Sequence, residues 1–100
     1  MNKIEINNRE YEIIEDVKNA LDLNALNDKL TDYFDDYDYV VGDWAYGKLR
    51  LKGFNDKSNK NYNKVNAYEQ VHDYIDNYCA YGCKYFIIKK LIKNNNRDKI

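Results

Sequence analysis

Proline is missing from this 100-residue chain, and cysteine, serine, histidine and glycine are scarce. With no proline and only four glycines there is no Pro/Gly-rich linker, and nothing divides the chain into two domains. One hundred residues suffice for a single hydrophobic core. The two cysteines, Cys79 and Cys83, do not have the Cys-x-x-Cys redox spacing. With one histidine and scattered aspartates they do not form a zinc ligand set either. They read as small, half-buried side chains where helix meets strand, with a reversible thiol switch as the lesser alternative. The lone serine, Ser58, lies in a polar stretch, and His72 has no nucleophile at a recognisable spacing, which leaves no basis for serine chemistry. Neither Gly42 nor Gly47 leads into a Gly-Lys-Ser/Thr phosphate loop. No apolar run reaches the roughly 18 residues of a membrane helix. The start, Met1-Asn2-Lys3-Ile4-Glu5-Ile6, lacks the apolar core of a signal peptide. The expected setting is cytoplasmic, away from membranes, with no cofactor and no bound metal.

Charge and tyrosine are plentiful. Eleven tyrosines supply much of the 44% hydrophobic fraction, and each keeps one polar end. The net charge of −1 hides an uneven distribution. Residues 1 to 45 hold four cations against twelve carboxylates, and residues 46 to 100 hold twelve cations against five carboxylates. The halves therefore carry −8 and +7. Either acidic and basic strands pair and neutralise each other, or a basic face is offered to an anion.

Short-range patterns predict an α+β fold in the order ββαββαβ, with a mixed or antiparallel sheet covered by two helices. Ile4-Glu5-Ile6 and Glu10 to Ile14 read as strands joined by a turn at Asn7-Asn8. Leu23, Leu26, Leu30 and Tyr33/Phe34 recur at helical spacing behind an Asp22 N-cap, with Asp28, Asp32, Asp35 and Asp36 facing water. Tyr39-Val40-Val41 opens a strand that leads into a turn from Gly42 to Gly47. Lys48-Leu49-Arg50-Leu51-Lys52 alternates cation and leucine and is the clearest strand in the chain. Asn55 to Asn63 reads as a mobile polar loop. A second helix is expected over residues 67–80, with Asn66 and Glu69 at capping-box spacing and Tyr68, Val71, Ile75 and Tyr78/Cys79 as its apolar stripe. Gly82 suits the stop after it. Tyr85-Phe86-Ile87-Ile88 has the continuous apolar character of an interior strand. The domain is expected to span 1–93, with 94–100 a disordered tail.

Two stretches carry a resemblance. Tyr37 to Phe54 contains the block Gly42-Asp43-Trp44-Ala45-Tyr46-Gly47-Lys48-Leu49-Arg50-Leu51-Lys52-Gly53-Phe54, and the second stretch runs from Tyr78 to Ile88. Together with Tyr11 to Asp16 they resemble the signatures of the YutD-like family, over roughly residues 4 to 90. The resemblance implies a small, cytosolic α+β protein of low-GC Gram-positive bacteria with no established activity. Two positions depart from the family pattern. Ala45 stands where glycine is expected, which argues against a left-handed backbone there. Lys84 follows Cys83 where a small residue is usual.

The residues singled out for function lie in the first block. Lys48, Arg50 and Lys52 would stand about 6.6 Å apart on one strand face, a spacing comparable to successive phosphates of a nucleic-acid strand. Trp44, Tyr46 and Phe54 flank them, as aromatics do where bases are stacked. An ordinary solvated sheet face, with the aromatics in the core, has the same sequence pattern. Asp43 is either a turn-capping carboxylate or a site residue. Asp35, Asp36 and Asp38 match no calcium loop. Three readings follow. The first is a non-catalytic module engaging RNA or a ribonucleoprotein through Trp44, Tyr46, Lys48, Arg50 and Lys52. The second is a protein–protein adaptor anchored by Trp44 and Tyr46. The last is a small enzyme using Asp43 with Arg50 on a phosphorylated metabolite, for which the sequence supplies no nucleophile or acid/base pair.

Overall fold

A computed structural model describes residues 2–78 and 84–91. Cys79, Gly82, Cys83 and the segment 92–100, including the expected tail, lie outside the described residues. Among the described residues five strands form one sheet: β1 (Lys3–Ile6), β2 (Arg9–Val17), β3 (Tyr39–Ala45), β4 (Lys48–Phe54) and β5 (Tyr85–Lys90), in spatial order β1-β2-β5-β3-β4. Every pairing is antiparallel. Helix α1 (Leu23–Lys29) packs on one face and α2 (Val71–Tyr78) on the other. The expected α+β class and element order are therefore present. No helix among the described residues is long and apolar enough to cross a membrane.

Alternation along the strands divides the core in two. Val40, Leu49, Phe86 and Ile88 point towards α1 and meet Leu26, Leu30 and Phe34. Val41, Phe54 and Ile87 point the other way and meet Val71 and Ile75 of α2. Phe86, Ile87 and Ile88 are fully buried, as an apolar run in a central strand requires. At Asn7-Asn8 both residues take positive φ, 53° and 68°, and close the β1–β2 hairpin. Beyond Ile13 the β2–β5 register shifts by one residue, leaving Ile14 as a bulge. Glu15 is thereby brought to the α2 face, where the Tyr85 hydroxyl donates to it at 2.9 Å. Burial, then this bond, pushes the Tyr85 phenol up from its ordinary range.

The first helix is shorter than its periodicity predicts. Leu30 is extended (φ −81°, ψ 111°) and Thr31 opens a separate 3-10 turn over Asp32–Asp36, its hydroxyl accepting from the Tyr33 amide. The break keeps both Leu30 and Phe34 against the sheet. It also removes Asp35 from the expected solvent-facing row. Arg9 forks onto the Asp35 carboxylate, and Lys90 donates to the Asp35 carbonyl. The charged halves of the chain are interleaved in the same way across the sheet, with Glu12 opposite Lys89 and Asp43 opposite Arg50.

The bond from Arg9 holds the Asp35 carboxyl below its ordinary value. A lowered folded-state pKa stabilises the protein above the ordinary carboxylate range and ceases to do so as pH falls through the folded value. Asp35 is 44% exposed, so the effect is expected to stay below about 1 kcal/mol. Urea unfolding of the wild type and Asp35→Asn should differ at pH 7 and converge well below about pH 4. A gap independent of pH would exclude this role.

Two further expectations are corrected. Asn66 and Glu69 form no capping box. Ala67 occupies the N-cap of a 3-10 turn (Tyr68–Gln70) that precedes α2, with no side-chain cap. The Asn66 side-chain oxygen accepts from the Asn63 amide instead, and Glu69 accepts the Tyr62 hydroxyl. The segment read as a mobile loop has specific partners. Asn55, fully buried, accepts from the Asp38 amide and Asn59, while Asn59, Asn61, Asn63 and Asn66 bond to one another and to the local backbone. These are side-chain-to-backbone turns that asparagine forms at short spacing.

Candidate interaction surface on the third and fourth strands

The Gly42 to Gly47 segment is mostly strand, contrary to the turn its glycines imply. β3 continues through Ala45, and the hairpin turns only at Tyr46-Gly47, with φ of 55° and 76°. Ala45 is indeed not left-handed. Gly42 has a different role: a β-carbon there would lie 2.2 to 2.8 Å from the Phe86 ring. Gly53 is covered by the Tyr37 ring in the same way, at 2.3 to 2.6 Å.

Asp43 therefore sits within a strand, 2% exposed, on the α2 face. Arg50 lies opposite on β4 and grips it with two bonds, Nε to Oδ1 at 3.2 Å and an Nη to Oδ2 at 2.6 Å. That grip raises the Arg50 pKa further. Lys52 lies 5.2 Å from the centre of the Phe54 ring and 5.8 Å from that of Tyr74. Lys48 is exposed. The three cations share one face, as their alternation predicts, yet two are held by partners from the fold.

The flanking aromatics separate. Trp44 is half-buried against the α1 core, and its indole N–H donates to the Ala20 carbonyl at 2.8 Å. Lys84 lies over the indole, 5.1 Å from its centre. Phe54 is fully buried. Tyr46, at the hairpin tip, is completely exposed. Of the six residues chosen from the sequence, Asp43, Arg50 and Lys52 are gathered on the α2 face, Trp44 turns to the opposite face, and Tyr46 and Lys48 project at the tip.

The sequence reading missed the groove beside β4. Two adjoining depressions border this strand, and a third continues from them beside the 3-10 turn Asp32–Asp36. One of about 330 Å³ includes Lys52, Val65 and Tyr74, a second of about 280 Å³ includes Tyr37, Leu51 and Val65, and a third of about 430 Å³ includes Tyr33, Tyr37 and Asn63. None of the three is lined by Asp43. Tyr33 and Val65 are 65% and 73% exposed along it. The Tyr33 and Tyr37 hydroxyls lie 3.4 Å apart, and that contact, followed by burial, raises the Tyr37 pKa. An isolated valine in an asparagine-rich segment was the one available signal for this groove. Among the described residues no group of three or more His, Cys, Asp or Glu side chains is arranged to hold a metal.

A family profile described as "YutD-like: Putative antitoxin YutD-like" matches residues 5–89. The chain is 39% identical over 88 residues to a protein of Bacillus subtilis (strain 168) named "Putative antitoxin YutD", covering 88% of this chain and 97% of that one. A solution NMR structure of protein yutD from B. subtilis superposes with a TM-score of 0.76 at 38% identity, covering 93% of this chain and 84% of the other.

Proposed function

The chain belongs to the YutD-like family, and from that premise and the hairpin geometry we propose a non-catalytic module that binds another protein through the tip of the β3–β4 hairpin. The observation that carries this reading is Tyr46. A two-residue turn with positive φ at both positions is best built from Asn-Gly, and a bulky residue there costs about 1–2 kcal/mol. Tyr46 occupies the first position at φ 55° with its ring entirely in water. Stability gains nothing from this ring, and an exposed tyrosine on a rigid hairpin is a good interface anchor. The B. subtilis relative carries the name "Putative antitoxin YutD", and an antitoxin acts by engaging another molecule.

RNA is a weaker fit than the sequence alone indicates. Trp44 is committed to Ala20, Arg50 to Asp43 and Lys52 to two rings, which leaves Lys48 and Tyr46 as the outward elements of the stacking scheme. The enzyme reading requires Asp43 in a pocket, and its carboxylate is instead buried beneath Arg50.

Tyr46→Asn is the direct test. The variant should be as stable as the wild type or more so, while a partner held by the wild type from nuclease-treated native lysate should be lost. A partner retained equally by the variant rules out the tip. Loss of binding on nuclease treatment alone would restore the nucleic-acid reading.

A further inference from the structure

We infer that the outer edge of β4 accepts an extended segment of a partner protein as a sixth strand, one whose residues alternate between acidic and apolar. This deepens the protein-binding reading and rests on it.

β4 is an edge strand, and among the described residues only β3 pairs with it. The register shows which backbone groups face outward. Ala45 and Lys48 close a two-residue turn, so the even residues of β4 bond to β3 and Leu49, Leu51 and Gly53 face away. The Trp44 amide donates to the Lys84 carbonyl on the β5 side, which is consistent with this parity. The chain itself uses this edge one step further on. The Asn55 amide donates to the Asn66 carbonyl at 2.7 Å and the Asn55 carbonyl accepts from Tyr68 at 2.9 Å, in a parallel bridge to Ala67. The edge is thus competent for pairing, and it is already buried from Gly53 onward, which leaves the stretch through Leu51 before that bridge. Next to the uncovered part lies the groove of about 280 Å³ that includes Leu51, Lys52 and Gly53.

Charge selects the occupant. Lysine on an edge strand ordinarily blunts it against pairing. Here Asp43 pins Arg50, and the Phe54 and Tyr74 rings hold Lys52, so both cations lie on the sheet face. A second copy does not fit. Antiparallel pairing of β4 with itself, centred on Leu51, sets Arg50 opposite the other copy's Lys52, and like charges directly opposed are unfavourable. An incoming strand with glutamate or aspartate on that face meets Lys48 and Lys52, whose charges no carboxylate among the described residues neutralises as Asp43 does that of Arg50. Its alternate residues fall on the α1 face beside Leu49, Leu51 and the Tyr33 and Tyr37 rings, where apolar side chains suit.

The test uses a blocked peptide of about seven residues alternating glutamate and valine, titrated into the full chain and followed by amide NMR and hydrogen exchange. Protection from exchange is expected at Leu49 and Leu51. Replacing glutamate by lysine should weaken binding about tenfold or more, since the pairs with Lys48 and Lys52 change sign. N-methylation of the peptide amides that face β4 should abolish binding, and Lys48→Glu should weaken it without unfolding the protein. No binding, unchanged exchange at these two amides, or equal affinity of the methylated peptide overturns strand addition. If these fail while the Tyr46-dependent partner is still captured, protein binding stands and only the mode is wrong. Loss of both removes both.

Discussion

Gly42→Ala is expected to destabilise the protein by about 1–3 kcal/mol or more, the range for overpacking a closed core. The new methyl group would lie within 2.2 Å of the Phe86 ring, which is fully buried in the central strand with no room to retreat. Either the ring leaves its rotamer or β3 and β5 separate, and both disturb the α1 core. Gly47→Ala is the control. Its β-carbon would meet nothing within 4 Å, and the strain comes only from φ at +76°, so the loss should be about 1 kcal/mol. Denaturant unfolding followed by the single tryptophan, Trp44, which packs against the same cluster, reads both. If Gly47→Ala proved the more damaging, the close ring packing at Gly42 would be refuted.

Arg50→Ala should cost about 2–3 kcal/mol, more than Asp43→Ala, although Arg50 is the more exposed partner. The reason is what each change leaves behind. Removing Arg50 strands a carboxylate that is 2% exposed, and a buried charge without its partner bears its full desolvation penalty. Removing Asp43 leaves a guanidinium that is 43% exposed and reachable by water. The double variant should therefore recover part of what Arg50→Ala loses, with a coupling of about 0.5–3 kcal/mol. Additive losses would mean that the two bonds do not bind the hairpin together. Partner capture offers an independent check: an intact Tyr46 tip on a folded Asp43→Ala protein should still bind.

The two variants also mark where sequence reading succeeds and where it stops. The alternation of Lys48 to Lys52, the Asn7-Asn8 hairpin and the apolar run in β5 are local periodicities. Each follows from the two-residue period of a strand or from turn chemistry, and each is present in the structure. The Asp22 cap is equally local, its carboxylate accepting the Asn24 and Ala25 amides. By contrast, the glycines of the first block looked like turn residues. Gly42 is in fact the flat spot for an aromatic ring contributed by a strand more than forty residues later. Asparagines that looked like loop filler bond across the segment and back to Asp36 and Asp38.

By itself the sequence determined where the strands and both helical regions lie, though not where β3 and α1 end, together with the class and the face shared by the three cations, because side-chain periods and caps act within a few residues. Tertiary structure alone decided which of those cations and aromatics remain available. Asp43 reaches Arg50 across the hairpin, Tyr74 meets Lys52 from α2, and Ala20 takes the Trp44 N–H from the segment before α1. Such pairings depend on which elements pack together, and no spacing along the chain encodes them. What they leave outward is Tyr46 and Lys48 at the tip and the outer edge of β4 as far as Leu51.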